Sequence, residues 1–412
     1  MVSLLKRCSL LSLIATLFFM SSCSNVVEES GPCYDLSAAL DSVQKVYAPD
    51  KRVKLWMSDI QKTNGACRLD LALDNKATYN IVKALIAKDF PEVDAHIELL
   101  PEKESAQLIS ALANNSVINL RSEPRHSAEI ATQALLGTPL RILEMRDEWY
   151  LVQTPNKYIA WTDDGAIVEV DRQHLEKYKV AKKIVYDKQY GFSYSEPDTK
   201  SLVVSDLVLG CILPVKGEKG EFYRVSYPDG RNAFVLKNEF IGFEELSNKE
   251  PNMNELVETA KKFNGIPYLW GGTSSKAIDC SGFTSTVYFM SGLVLQRDAS
   301  QQTKYGKEIS TDYEYDKLQA GDLLFFGRPA SDTLPEKVTH VALYIKDGEF
   351  IHASGKVRIN SMDSTQSNYI SSYPRRFVRA VRVNGNYDDF GVQRIKDNDF
   401  YKEILNKENE NQ

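Results

Sequence analysis

An α+β protein of several domains is what this sequence predicts, and three observations carry the prediction. A stretch near the middle is written twice at a fixed offset: Ser122-Glu123-Pro124 returns as Ser195-Glu196-Pro197, Leu136-Gly137 as Leu209-Gly210, and Pro155 as Pro228, each 73 residues later. Short apolar strands between turn residues in both copies predict two small β-barrels. Further on, apolar residues at helical spacing, Phe283, Val287 and Met290, give way to strand patterns at 321–326 and 338–345. Finally, 412 residues with 43% hydrophobic and 26% charged composition are too many for one ordinary core, so about three or four domains are expected. The net charge of −6 is mild and excludes the basic footprint of a nucleic-acid binder.

Taken in order, residues 1–22 place Lys6 and Arg7 before an apolar run from Leu10 to Met20, followed by Ser21-Ser22-Cys23. The run is too short to span a bilayer comfortably and reads as an export signal. Small residues before a cysteine resemble a bacterial lipoprotein cleavage site, which would make Cys23 the lipidated first residue and the membrane a partner. The alternative is an ordinary signal peptide with a chance cysteine. Residues 23–49 are then a polar tether leading into a helix marked by Leu36, Leu40, Val43 and Tyr47. Residues 50–102 predict a small α+β unit. Val53, Leu55 and Met57 alternate, as do Leu69, Leu71 and Leu73 beyond an Asn64-Gly65 turn, and a helix near Ile81–Ile86 precedes a strand from Val93 to Leu99. No chemistry is visible in this unit, and it reads as a spacer. Four cysteines remain beyond Cys8 and Cys23: Cys33, Cys67, Cys211 and Cys280. In an oxidising compartment Cys33 and Cys67 are free to pair, although spacing alone does not fix connectivity.

The duplicated barrels occupy 115–172 and 180–246. Trp149 and Trp161 of the first correspond to Phe222 and Phe234 of the second, so both keep their aromatic anchors. A loop differs: Arg125, His126 and Glu129 are replaced by Asp198, Thr199 and Leu202, so only the first barrel keeps a polar loop. After a linker at 248–251, Leu256, Ala260 and Phe263 mark a helix that opens a domain at 252–384. The charged, weakly patterned residues 385–412 are expected to form a loose tail.

Cys280 follows a loop rich in Gly, Ser and Thr and should start the helix of Phe283, Val287 and Met290. A helix N-terminus favours thiolate and offers unpaired N–H groups to an anion. Two of the five histidines, His340 and His352, fall on neighbouring strands joined by an Asp347-Gly348 hairpin. A base and its orienting partner need this kind of rigid mounting. His96, His126 and His174 have no such setting and read as surface or loop residues. A lone cysteine is ordinarily a small buried hydrophobe, and here the paired histidines shift the balance. No Cys/His spacing suggests zinc, no phosphate loop is present, and no cofactor is expected.

The series Pro267-Tyr268-Leu269-Trp270-Gly271-Gly272, Asp279-Cys280-Ser281-Gly282-Phe283, Gly321-Asp322-Leu323-Leu324-Phe325-Phe326, His340-Val341-Ala342-Leu343-Tyr344 and Phe350-Ile351-His352-Ala353-Ser354 resembles the NlpC-type cell-wall cysteine peptidases. The resemblance spans roughly residues 252–383, and the two barrels resemble the bacterial SH3-like domains such peptidases carry. It implies a papain-like catalytic domain in which Cys280 is the nucleophile, His340 the general base and His352 the residue that orients it. The implied substrate is a peptidoglycan stem peptide, L-Ala-γ-D-Glu-diamino acid, cut after γ-D-glutamate. By the same resemblance the Cys280 N–H and Tyr268 are oxyanion donors, Asp279 meets a substrate ammonium, and Ser281 meets the α-carboxylate of D-glutamate. Trp270 and Ser300 would line the groove, while Glu129 and Trp161 of the first barrel would close one end and capture a free amino terminus. Each has a plainer alternative: a helix cap for Asp279, a core side chain for Trp270 and Trp161, a solvated acid for Glu129. An exported monomer acting on these peptides is the expectation. A non-catalytic wall-binding lipoprotein and an acyl or amide transferase on the same fold are the alternatives.

Overall fold

The computed structural model describes residues 31–63, 66–101, 108–310, 315–388 and 390–405. The export signal, Cys23 and the Asn64-Gly65 turn lie outside the described residues. The N-terminal unit opens with the helix Pro32–Tyr47, which buries Leu36 and Leu40. Its strands Trp56–Thr63 and Ala66–Leu73 pair antiparallel, and Asp94–Leu99 adds parallel to the second of these. The helix Lys76–Asp89 makes that crossover, its first turn capped by Asn75, whose side chain accepts from the Thr78 N–H at 3.0 Å. A Cys33–Cys67 disulfide ties the first helix to the central strand, with the Cα atoms 5.5 Å apart. Val53 and Leu55, expected in a strand, precede it instead. The Val53 N–H closes a turn on Asp50 O, the Leu55 N–H bonds the Asp74 carboxylate, and both side chains are buried. Their alternation marks burial in a plug, not a pleat.

The two repeats fold alike. Strands Val117–Arg121, Ile130–Leu135, Pro139–Arg146, Trp149–Gln153, Ile159–Asp163 and Ile167–Glu169 recur as Tyr190–Tyr194, Val203–Val208, Ile212–Lys219, Phe222–Ser226, Asn232–Leu236 and Phe240–Gly242. Each copy forms a seven-stranded sheet wrapped on a core of its own. The paired glycines explain part of the repeat: Gly137 and Gly210 have φ of 78° and 94°, and a Cβ on Gly137 would sit 2.2 Å from Ile212 O. The two barrels thus meet through backbone that tolerates no side chain at that point.

The C-terminal domain is a six-stranded sheet in the order Lys307–Ser310, Phe377–Arg382, Leu323–Arg328, Lys337–Lys346, Glu349–Ser354, Lys356–Ser361. The helix Cys280–Phe289 packs on it through Phe283 and Val287, both fully buried. The expected tail from residue 385 is a correction as far as residue 405. Val392–Arg394 pairs with Leu293–Leu295, and Val392, Ile395, Phe400 and Ile404 are buried. Asn398 donates to Pro155 O at 2.9 Å and Lys157 pairs with Asp399, so this segment straps the catalytic domain to the first barrel. Its apolar residues have no strand or helix period, and so no signal in sequence.

Candidate active site

Cys280 is the first residue of its helix, and Asp279 is the N-cap, its carboxylate accepting from the Gly282 N–H at 2.7 Å. As the first helical residue, Cys280 carries an N–H without a partner inside the helix. The two-residue turn Asp347-Gly348, with φ of 49° and 79°, brings the strands Lys337–Lys346 and Glu349–Ser354 together. His340 Nε2 then lies 2.8 Å from His352 Nδ1, and His352 Nε2 lies 3.0 Å from Asn360 Oδ1.

The direction of this relay follows from its far end. Asn360 Nδ2 donates to the Asn368 carbonyl at 3.1 Å, which orients the amide so that Oδ1 faces His352. An amide oxygen only accepts, so His352 carries its proton on Nε2 and presents a lone pair at Nδ1. His340 therefore donates from Nε2, and its Nδ1 is left as the basic lone pair. The Tyr373 hydroxyl adds a second contact to His352 Nδ1 at 3.2 Å. Burial, and then the neighbouring His352, hold the His340 imidazole well below the usual value. Burial brings His352 down to about 4. Both rings are thus neutral near pH 7.

The sulfur is also held neutral. Burial raises the Cys280 thiol to about 11, with Asp279 pushing the same way, while backbone N–H groups of Val341 and Ser281 act in the opposite sense. Val341 follows His340 on its strand, so the thiol lies against the segment that carries the base. Among the described residues no hydrogen bond joins the sulfur to the ring. The pair rests as thiol and imidazole, a state from which the ring takes the proton as the sulfur attacks.

A cleft of about 530 Å³ opens beside Cys280. Tyr268, Trp270, Asp279, Ser281 and Ser300 line it, and so does Glu129 from the first barrel. Trp270 is 62% exposed and its indole Nε1 donates to Glu129. Burial, and then Cys280, raise the Tyr268 hydroxyl to about 12, so it remains a donor at neutral pH. Gly271 makes the close approach of barrel and cleft possible. Its φ is 80°, and a Cβ there would meet Ile130 O at 2.3 Å.

Three expectations are corrected. Trp161 is buried against Leu55, Leu143 and Leu151 at the junction with the N-terminal unit and does not line the cleft. The aromatic residue that the first barrel supplies is Tyr158, whose hydroxyl reaches Asp298 at 3.3 Å. Asp279 has no free lone pair for an ammonium. Beyond its cap it accepts from the Gly271 N–H at 2.9 Å and from Arg297 at 2.6 and 3.1 Å. Ser281 belongs to the same network, accepting from Arg297 at 3.0 Å and donating to Asp279 at 3.3 Å, so its hydroxyl is turned inward. No sequence pattern pointed to Asn360, Tyr158 or Arg52, which reaches the cleft from the segment read as a spacer.

Residues 265–379 match the NlpC/P60 family, and residues 120–167 match a family described as the bacterial dipeptidyl-peptidase Sh3 domain. The gamma-D-glutamyl-L-lysine dipeptidyl-peptidase of Bacillus cereus is 32% identical over 264 residues, covering 61% of this chain and 76% of that relative. The chain belongs to the NlpC/P60 family. A Bacillus subtilis relative with the same name is 29% identical over 227 residues, covering 54% of this chain and 72% of its own. The solved structure of an NlpC/P60 family protein from Bacillus cereus superposes with a TM-score of 0.58 at 25% identity, over 67% of this chain and 99% of that one. Like its NlpC/P60 relatives this chain is a peptidase, a hydrolase with an α+β catalytic domain and an SH3-like domain. Neither family match reaches the N-terminal unit.

Proposed function

We propose that this NlpC/P60 peptidase cuts the bond between γ-D-glutamate and the diamino acid of peptidoglycan stem peptides, and that it requires a free L-alanine amino terminus. The names of the Bacillus relatives support the bond and the peptide class. The free amino terminus is supported by one observation: Glu129 enters the cleft from the first barrel, against Trp270. With the Asp279 carboxylate filled internally, Glu129 is an exposed anion available to an ammonium group.

In this reading His340 Nδ1 takes the Cys280 proton as the sulfur adds to the γ-glutamyl carbonyl. The Cys280 N–H and the Tyr268 hydroxyl are the donors that receive the oxyanion in this reading. The proton then passes to the departing amine, leaving L-Ala-D-Glu as a thioester. Water, deprotonated by the same imidazole, hydrolyses the thioester and restores the thiol. His352 and Asn360 keep His340 in the tautomer that performs both transfers. The Cys33–Cys67 disulfide supports export, with Cys23 as the anchor to a membrane.

The test is direct. Purified protein should release L-Ala-D-Glu from L-Ala-γ-D-Glu-L-Lys and act poorly on the same peptide carrying N-acetylmuramic acid. Equal rates on both would remove the amino-terminal requirement, and full activity after Cys280→Ala would remove the mechanism.

A further inference from the structure

We propose that the basic rim beside His340, formed by Lys337, Arg358 and Arg376, takes the α-carboxylate of the departing diamino acid, so that the enzyme selects peptides that end at that residue. This rests on the peptide reading above and adds to it the leaving side of the cleft.

The place of the leaving residue follows from the chemistry. His340 hands its proton to the departing nitrogen, so that nitrogen comes within hydrogen-bond reach of the imidazole, about 3 Å. The α-carboxylate carbon is two bonds further on, about 2.5 Å from the same nitrogen. A free carboxylate on the leaving residue therefore falls within about 6 Å of the ring. The acyl part of the peptide runs the other way, toward Glu129.

Three cations gather around this point from three elements. Lys337 and Thr339 line the cleft on the strand that carries His340. Arg376, at the end of the short helix Ser372–Arg376, donates to Thr339 Oγ1 at 3.3 Å and is held against the same wall. Arg358 is the direct cross-strand partner of His352, and its Nε is enclosed with no hydrogen-bond partner among the described residues. The protein does not neutralise them. Among the described residues none of the three pairs with a carboxylate, and Glu336, next to Lys337, is bound to Arg379 instead.

Their charge reaches the catalytic ring: after burial and His352, Arg376 and then Arg358 lower His340. Cations beside an imidazole that must become imidazolium oppose the reaction, and an anion bound among them offsets that cost. The cleft then carries opposite charge at its two ends, Glu129 for an ammonium and this rim for a carboxylate. A tripeptide with a free amino terminus and a free carboxyl terminus matches both. The lysine side-chain ammonium, on a flexible four-carbon stem, is free to turn to solvent.

The experiment is steady-state kinetics of the full chain on L-Ala-γ-D-Glu-L-Lys and on the same tripeptide ending in a lysine carboxamide. Wild type should prefer the carboxylate form by roughly tenfold in kcat/KM, the effect of one hydrogen bond to a charged group. Lys337→Gln/Arg376→Gln should reduce the ratio to about threefold or less, and adding Arg358→Met should bring it close to one. Both peptides meet the same Cys280 and His340, so a fault in folding or in the imidazole lowers both rates alike and leaves the ratio unchanged. A wild-type ratio near one, or a ratio that survives in the variants, overturns the proposal. Lys337 and Arg376 are exposed, so the double variant carries the test by itself should the triple variant fail to fold. If wild type releases no L-Ala-D-Glu from either peptide, the parent reading fails and takes this proposal with it.

Discussion

Replacing Asp279 by Ala separates a structural carboxylate from a substrate-binding one. The side chain accepts from two backbone N–H groups and holds Arg297 with two bonds, while Arg297 is only 1% exposed. Removing it strands a buried guanidinium, which costs about 3–5 kcal/mol, and it deletes a helix cap worth about 1 kcal/mol. The two losses share Asp279 atoms and overlap, so about 4 kcal/mol is expected, against a typical total of about 5–15 kcal/mol. A surface ligand for substrate would cost about 0.5 kcal/mol or less. In urea, with a slope of about 3 kcal/mol/M, the midpoint should fall by more than about 1 M without any peptide present. Asp279→Ala/Arg297→Met, which removes the stranded charge, should recover about half of that. A loss under about 1 kcal/mol, or a double variant no more stable than the single one, would refute the reasoning.

Other outcomes follow from the same geometry. The acid limb of kcat/KM should lie well below pH 6.5, because His340 must be neutral to act and burial depresses it; a midpoint at or above 6.5 in the pH–rate profile would contradict this. His352 is buried neutral with its value lowered to about 4, so the unfolded chain binds a proton that the folded one refuses. Stability is then fully present above about 6.5 and falls as pH drops toward about 4, by on the order of 3 kcal/mol, a slope that His352→Gln should flatten in denaturation curves. The Cys33–Cys67 bridge closes a separation of 34 residues, and Cys33→Ser/Cys67→Ser should cost the N-terminal unit about 3–4 kcal/mol, read by hydrogen exchange of the strand Ala66–Leu73. Truncation at residue 386 exposes the groove that holds Val392, Ile395, Phe400 and Ile404, each worth about 1.5–3 kcal/mol, and thermal melts should drop sharply if the strap is structural.

Much of this protein was legible before any coordinates. The 73-residue offset recurs strand for strand because each barrel is a complete local unit whose turns and apolar phase are written within its own stretch. Cys280 starts its helix because Asp279 caps it and Phe283 and Val287 face the sheet, and the Asp347-Gly348 turn brings the histidine strands into register. These are short-range instructions: period, cap and turn.

What tertiary structure alone decided was which groups distant in sequence meet. Glu129 and Trp270, Arg52 and Ser300, Asp279 and Arg297, and Asn398 and Pro155 O are separated by 18 to 248 residues, and no local pattern couples them. Trp161 and Tyr158 sit three residues apart in one repeat, yet one fills a junction and the other a cleft wall. Periodicity fixes which side of an element is apolar; whether that side meets a core, another domain or a substrate depends on packing between units, and so a segment read as a spacer supplies a wall of the cleft.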